Sequence, residues 1–233
     1  MGPLTADRPK CLLKIGGHTL LERQAAALRM AGVDEIGIVT GWQAQQFAGM
    51  PFRLFHNADW ATTSMVGSLA CAEEWLLTEP LVVSYGDIVY ASSTITGLLA
   101  SAAPITIAYD PDWRAQWSSR FEDPLSDAET FRVEANGHLL EIGGRPRTFD
   151  EVEGQYMGLL KFTPSGWAAL KRLHVTETDR QDMTGLLRRL VQTQRPAIAT
   201  IKNTGPWHEF DHSSDLATGR TAINHLDRIL GKS

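Results

Sequence analysis

Short apolar runs that stop abruptly at glycine alternate with segments of helical spacing along this 233-residue chain, and that alternation narrows the fold more than any other feature. Glu35-Ile36-Gly37-Ile38-Val39-Thr40 ends at Gly41, and Pro80-Leu81-Val82-Val83-Ser84-Tyr85 ends at Gly86-Asp87. Both have the length and content of buried strands. Phe52 to Phe55, Ile105 to Tyr109, Gly154 to Phe162, Ile198 to Ile201 and His208 to Asp211 read the same way. Thr19 and Glu22 have the spacing of a capping box, in which hydroxyl and carboxylate each satisfy one free amide of the first helical turn. It opens a helix from about Leu20 to Ala31, which Gly32 stops in the left-handed conformation. Met65 to Leu77, Gly166 to Leu173 and Thr184 to Gln194 carry helical spacing, and a last helix sets Leu216, Ile223, Leu226 and Leu230 on one face. Strands and helices in this order predict parallel βαβ units joined by right-handed crossovers.

The pattern breaks from Trp113 to Ile142, where the chain turns polar and rich in Asp, Arg and Trp. An insertion over roughly residues 113–150 is expected, with a hairpin made of Phe131 to Glu134, a turn at Asn136-Gly137, and Leu139 to Ile142. No repeat, low-complexity tract or linker interrupts the remainder, so one domain with an elaborated substrate lid is expected. A formal charge of −5 argues against a nucleic-acid partner, which needs a basic face. Two cysteines, Cys11 and Cys71, are too few for a disulfide framework and lack metal-type spacing. Buried thiols in a reducing compartment are the expectation. No stretch approaches the ~18 apolar residues of a membrane span, and Met1-Gly2-Pro3-Leu4-Thr5-Ala6-Asp7-Arg8 lacks an apolar signal region. A cytoplasmic chain without a membrane partner is therefore expected.

Gly2-Pro3-Leu4-Thr5-Ala6-Asp7-Arg8-Pro9-Lys10-Cys11-Leu12-Leu13 resembles the second half of the nucleotidyltransferase signature, in which a glycine-rich loop leads into P-L-T, three variable residues and P-K-C or P-K-P. The resemblance makes Lys10 the signature lysine that contacts the phosphates being transferred. A fixed cation there opposes charge building around the α-phosphorus; without the resemblance, Lys10 reads equally as a solvated loop lysine. Related chains place a strand and a Gly-x-Gly-x-Arg loop ahead of this motif, the loop's amides cradling the triphosphate as an anion nest. Met1-Gly2 stands where that loop would be ending. About 15–20 further residues, one strand and one loop, are expected upstream; the alternative is a chain that has lost nucleotide binding.

Asn57-Ala58-Asp59-Trp60-Ala61-Thr62-Thr63-Ser64-Met65-Val66-Gly67-Ser68-Leu69 is similar to the N…W…TN(M)xxSL segment of phosphocholine-type cytidylyltransferases. There a helix start approaches the nucleotide, which makes Ser64 and Ser68 candidates to meet base or ribose; Ser64 is equally an N-cap. Ser84-Tyr85-Gly86-Asp87 puts an acidic residue just beyond a strand, where open α/β sheets bind ligands. By the resemblance Gly86 lies at the nucleotide and Asp87 is a magnesium-binding aspartate. Trp207-His208-Glu209-Phe210-Asp211, followed by Asp215-Leu216, resembles the family ending W-x-E-x-D…D-L, with Asp211 as the other metal aspartate. Two carboxylates plus phosphate oxygens and water suit Mg²⁺, which takes few protein ligands.

Trp117 to Phe131 looks like the W-x-x-R-F-x-D-P-L-x-D-x-E-[ST]-F block of one bacterial cytidylyltransferase group, and Gly154 to Phe162 and Asp182-Met183-Thr184 look like its later blocks. The group includes phosphocholine cytidylyltransferases and relatives acting on phosphoglutamine. Arg145 sits where sugar-nucleotide relatives carry the lysine of E-K-P, and a guanidinium can hold an acceptor phosphate bidentately. Arg120 serves the same anion or pairs with Asp123 or Asp127. Glu129 and Glu153 are candidates for an acceptor ammonium, with Glu153 read alternatively as a solvated carboxylate. Trp113, Trp117 and Tyr156 allow an aromatic cage for quaternary ammonium, the other use of the tryptophans being packing. The histidines, His208 and His212 among them, show no metal-ligand spacing and are read as structural or surface residues.

The resemblance implies a Rossmann-like fold with a mixed, mostly parallel sheet flanked by helices, of the nucleotide-diphospho-sugar transferase type. It implies an Mg²⁺-dependent nucleotidyltransferase that moves CMP from CTP to a small phosphorylated or phosphonate acceptor, releasing pyrophosphate; a homodimer is one assembly open to it, which the sequence does not decide. Lys10, Asp87 and Asp211 would be its catalytic residues. A hexose-1-phosphate nucleotidyltransferase and a non-catalytic ligand-binding domain are the competing readings.

Overall fold

The computed structural model describes residues 1–173, 182–193 and 195–231. In chain order, a small ribbon of β1 (Lys14–Ile15) and β2 (His18–Thr19) leads into α1 (Leu20–Met30), then β3 (Gly37–Thr40), β4 (Arg53–His56), α2 (Met65–Ala70) and α3 (Glu73–Leu76). Next come β5 (Leu81–Ser84), β6 (Ile88–Tyr90), α4 (Ser92–Ala100), β7 (Ile105–Asp110), α5 (Trp113–Arg120), β8 (Phe131–Val133) and β9 (Leu139–Ile142). The chain continues through β10 (Gln155–Phe162), α6 (Pro164–Leu173), α7 (Met183–Thr193), β11 (Ile198–Lys202), β12 (Trp207–Glu209), α8 (Asp215–Thr218) and α9 (Arg220–Ile229).

The main sheet has the order β11-β7-β10-β5, with β11 parallel to β7 and β10 antiparallel to both its neighbours. β3 and β4 form a separate parallel pair, and β6 pairs antiparallel with β12. The sheet is thus mixed, as expected: β5, β7 and β11 run the same way and β10 runs against them, while β3 and β4 are parallel. β10 follows the β8–β9 hairpin rather than a crossover helix, and an antiparallel neighbour needs no crossover. Successive residues of the central strands serve opposite faces, as a period of two requires. Leu159 and Ala108 join a core with Leu20, Leu98, Trp113 and Phe210, whereas Leu160 and Ile107 join one with Trp167 and Leu187.

The capping box forms in full, Glu22 N donating to Thr19 Oγ1 at 3.0 Å and Thr19 N to Glu22 Oε2 at 2.6 Å. Gly32 takes φ +87°. Three expectations are redrawn. Met65 to Leu77 is two short helices, α2 and α3, rather than one. The polar stretch after Trp113 begins with helix α5, whose Trp113 and Trp117 are one turn apart and buried. Leu216 lies on α8, not on the last helix. Gln194, the expected end of α7, lies outside the described residues. The cysteines also differ from expectation, Cys11 being half-buried and Cys71 exposed. No helix among the described residues is long and apolar enough to cross a membrane.

A cavity of about 750 Å³ separates β3 from β5, lined by Ile36 to Gly41 on one side and Pro80 to Gly86 on the other. Leu28 of α1 and Trp75 of α3 also line it. No strand among the described residues pairs with the edges that β3 and β5 turn toward this cavity.

Candidate active site

Asp87 and Asp211 are 124 positions apart, and the β6–β12 pairing brings them together. Tyr90 faces Trp207, Val89 faces His208 and Ile88 faces Glu209, so the ladder runs toward the residues just before β6 and just after β12. Phe210 N donates to Asp87 O at 2.9 Å, extending it by one step. Both aspartates leave at that end. α1 fixes the same corner, because the Gln24 amide donates to Tyr85 O at 2.8 Å and Ile88 O at 2.6 Å.

Lys10 enters from the opposite side of the chain. It begins a single 3-10 turn whose Leu12 packs with Leu21 and Phe47. The Lys10 ammonium donates to Asp87 Oδ2 at 3.1 Å and to Asp211 Oδ1, bridging the two carboxylates. Burial works against its charge, but the hydrogen bond and charge of Asp211 and the charge of Asp87 outweigh it and hold Lys10 above the ordinary lysine value. Burial pushes Asp87 up despite Lys10, as removing a carboxylate from water does. Burial also pushes the thiol of Cys11, whose Cβ lies beside Gly86, up to about 12. The three residues singled out in the sequence therefore meet at one point. Asp87 and Asp211 supply hard oxygen donors at strand ends, the donor type and number that Mg²⁺ accepts.

A second, deeper layer stands behind them. The Arg120 side chain is only 1% exposed and its Nε and Nη2 donate to the two oxygens of Asp215 at 3.0 and 3.3 Å. Its Nη1 donates to Glu209 at 2.8 Å, and Nη2 lies 4.0 Å from Asp211. Arg120 therefore pairs with neither Asp123 nor Asp127, and its contacts leave it embedded rather than facing an acceptor. Asp123 caps the following turn, and Asp127 accepts the Trp117 indole N–H at 3.0 Å. Asp215, 0% exposed, accepts the backbone N–H groups of Asp211 and His212 at 2.8 Å each. Burial opposes its charge, yet those bonds and Arg120 hold its carboxyl below the usual range. Glu209 is pushed up to about 7 by burial and by neighbouring Asp211. Sequence reasoning assigned no role to Glu209, Asp215 or Gln24. The signal was a pair of carboxylates, Glu209 and Asp215, flanking Asp211 close to Trp207 and Phe210.

The other candidates divide. Ser64 is an N-cap, its Oγ accepting Gly67 N at 3.2 Å. Ser68 Oγ accepts the buried Asn57 amide at 3.0 Å, while its residue lines the large cavity together with Gly86. Tyr156 stands edge-on to Tyr85, ring centres 6.0 Å apart, and neither buried hydroxyl has a hydrogen-bond partner among the described residues. Gly158, at φ +71° in an irregular stretch of β10, permits this, since a Cβ there would come within 2.6 Å of the Tyr85 ring. Glu129 is half-buried and pushed up by burial and then by Asp182, which also raises the Tyr85 hydroxyl. These groups form a patch running from Asp87 toward α7.

Glu153 is drawn into the hairpin instead, its Oε2 accepting Val133 N at 2.9 Å. Arg145 is exposed and lines a separate pocket of about 460 Å³ with Arg132, Arg147, Glu141, Asp150 and Glu151. No hydrogen bond or ion pair among the described residues links it to Lys10, Asp87 or Asp211. Trp113 and Trp117 do not form a cage. They are buried in the core, Trp113 Nε1 bonding to Val152 O at 3.1 Å, so packing is their use. His208 is buried against Phe210, and the amide of His212 caps onto Asp215, both structural as expected.

Residues 1–193 match the family model described as the MobA-like NTP transferase domain. The chain is 31% identical to CTP:phosphoglutamine cytidylyltransferase from Campylobacter jejuni, over 92% of each chain. It is 28% identical to 2-aminoethylphosphonate cytidylyltransferase from Lancefieldella rimae over 41% of each. The solved inositol-1-phosphate CTP transferase from T. maritima superimposes with a TM-score of 0.75 at 15% identity, covering 96% of this chain and 89% of that one, and so shares the fold. The fold, the strand-end site and these likenesses agree: the chain belongs to the MobA-like NTP transferase family.

Proposed function

We propose that this chain transfers CMP from CTP to a small phosphorylated or phosphonate acceptor, releasing pyrophosphate, with Lys10, Asp87 and Asp211 as its catalytic residues. The observation that carries the reading is the meeting of one ammonium and two strand-end carboxylates drawn from opposite parts of the chain. A phosphate monoester is mostly dianionic at neutral pH, its second pKa being ~6, so it attacks without a general base. The barrier lies in bringing two anions together in line. Asp87 and Asp211 would hold Mg²⁺, which when bound neutralises charge on the phosphates. Lys10 would set a second positive charge at the same phosphates. Arg120 and Asp215 would keep Asp211 in place from behind, and Gln24 would do so for Asp87.

The patch of Tyr85, Tyr156 and Glu129 is read as the acceptor side, where a carboxylate beside aromatic faces suits a cationic headgroup. That agrees with the amino-bearing acceptors in the names of the two cytidylyltransferase relatives. A homodimer and a cytoplasmic setting remain part of the proposed reading. The test is pyrophosphate release with CTP, UTP, ATP and GTP, each against phosphoglutamine, phosphocholine, aminoethylphosphonate and glucose-1-phosphate. Preference for CTP with an amino-bearing acceptor supports the reading; preference for glucose-1-phosphate, or no turnover with any pair, refutes it.

A further inference from the structure

Lys10 lies in the place where an ion shared by Asp87 and Asp211 would have to lie. Its ammonium takes one oxygen from each carboxylate, so those two oxygens face a common point. A magnesium ion bonds oxygen at about 2.0–2.1 Å, inside the reach of an ammonium hydrogen bond. Ion and ammonium cannot share that point. Two cationic side chains beside the carboxylates, Lys10 and Arg120, also differ in enclosure. Arg120 is held on three sides by Asp215 and Glu209 and is 1% exposed. The Lys10 side chain is 38% exposed, on a four-carbon stem whose backbone is fixed by the 3-10 turn and Leu12. One cation is enclosed on all its bonding edges, while the other has solvent beside it.

We infer that Lys10 is a tethered stand-in for the metal: it holds Asp87 and Asp211 together while no ion is bound, and it leaves when a divalent cation arrives. Without it, two partly buried carboxylates would face each other, with Arg120 4.0 Å from Asp211 and the Met1 ammonium bonded to the Asp211 carbonyl at 3.0 Å, and their repulsion would spread the site. With it, the pair stays preorganised. On exchange, the displaced ammonium stays within a side-chain length of both aspartates and turns toward the open side. Metal loading and presentation of the lysine to the phosphates thus become one event, in which the metal must compete with an internal cation.

The inference rests on the proposed reading of Asp87 and Asp211 as metal ligands, and the experiment separates the two. Mn²⁺ binding to the full chain, without nucleotide, is measured by calorimetry for the wild type, Lys10→Met and Asp87→Asn. In parallel, the lysine side-chain NMR signals of the wild type are followed during Mg²⁺ addition, the Lys10 signal being the one missing from Lys10→Met. Lys10→Met is expected to bind Mn²⁺ about tenfold more tightly, because a like charge competing for the same oxygens is gone. The wild-type Lys10 signal is expected to shift as Mg²⁺ saturates. Equal or weaker Mn²⁺ binding by Lys10→Met overturns the stand-in, as does a Lys10 signal that Mg²⁺ leaves unmoved. If Asp87→Asn still abolishes binding in that case, the metal ligands stand and only the exchange fails. Absence of Mn²⁺ binding by both wild type and Lys10→Met overturns both.

Discussion

Two of the regions where arginines lie among carboxylates behave as opposites. Behind Asp211, Arg120 is shut in among Asp215, Glu209 and aromatic rings and reaches residues 89 and 95 positions away. In the hairpin region, Arg132, Arg145 and Arg147 share an open pocket with Glu141, Asp150 and Glu151, all within a short stretch of chain. Exposed pairs contribute about 0–1 kcal/mol, because water and salt screen them. Removing one partner of a buried pair costs about 3–5 kcal/mol, since the other charge is left uncompensated. The same residue types therefore fix geometry in one place and leave it adjustable in the other. Chemistry that needs reacting groups aligned belongs to the first.

The sharpest way to break this comparison is at the aspartates. Asp87→Ala or Asp211→Ala is expected to lower turnover by about 10³-fold or more, with the circular dichroism spectrum kept. Turnover within tenfold of wild type in either would move the reacting centre elsewhere. Next in size is stability. Arg120→Met is expected to cost about 3–5 kcal/mol in urea unfolding, whereas Arg147→Met costs under about 1 kcal/mol. Similar losses would erase the contrast between the two regions.

His208 sharpens it through pH. Burial, then the charge of Arg120, pushes its imidazole down from 6.5 to about 4. The unfolded chain protonates His208 below about 6.5 while the folded chain stays neutral, so folding releases a proton between those values. Stability from this group is complete above that window and is lost as pH falls through it. His208→Gln should therefore lose less melting temperature than wild type between pH 7 and pH 5, and parallel losses would contradict the assignment. The smallest effect is expected at Arg145. Arg145→Ala should change the acceptor KM by no more than about threefold, as for an exposed charge. A rise above tenfold would return the hairpin pocket to the acceptor site.

The helix and strand frame was readable because its signals are local. The Thr19/Glu22 box and the Gly32 stop each need only a few neighbouring residues, and both appear in place. The meeting of Lys10 with Asp87 and Asp211 had no local signal; resemblance alone suggested it, and the β6–β12 register supplies the physical cause. Arg120 was assigned to Asp123 or Asp127 because those lie nearby in sequence, while its partners arrive from β12 and α8. Helix α5 was hidden for a related reason. Two tryptophans one turn apart were its only apolar mark in a stretch of otherwise polar residues, and the surface that buries them belongs to other elements. Arg145 was placed by its motif position, and the hairpin carries it to a different pocket.

The cavity between β3 and β5 separates the inward edge of the β3–β4 pair from the β5 edge of the main sheet. Among the described residues no strand pairs with those inward edges, so deuterium should enter Gly37–Thr40 and Leu81–Ser84 sooner than the doubly flanked β7.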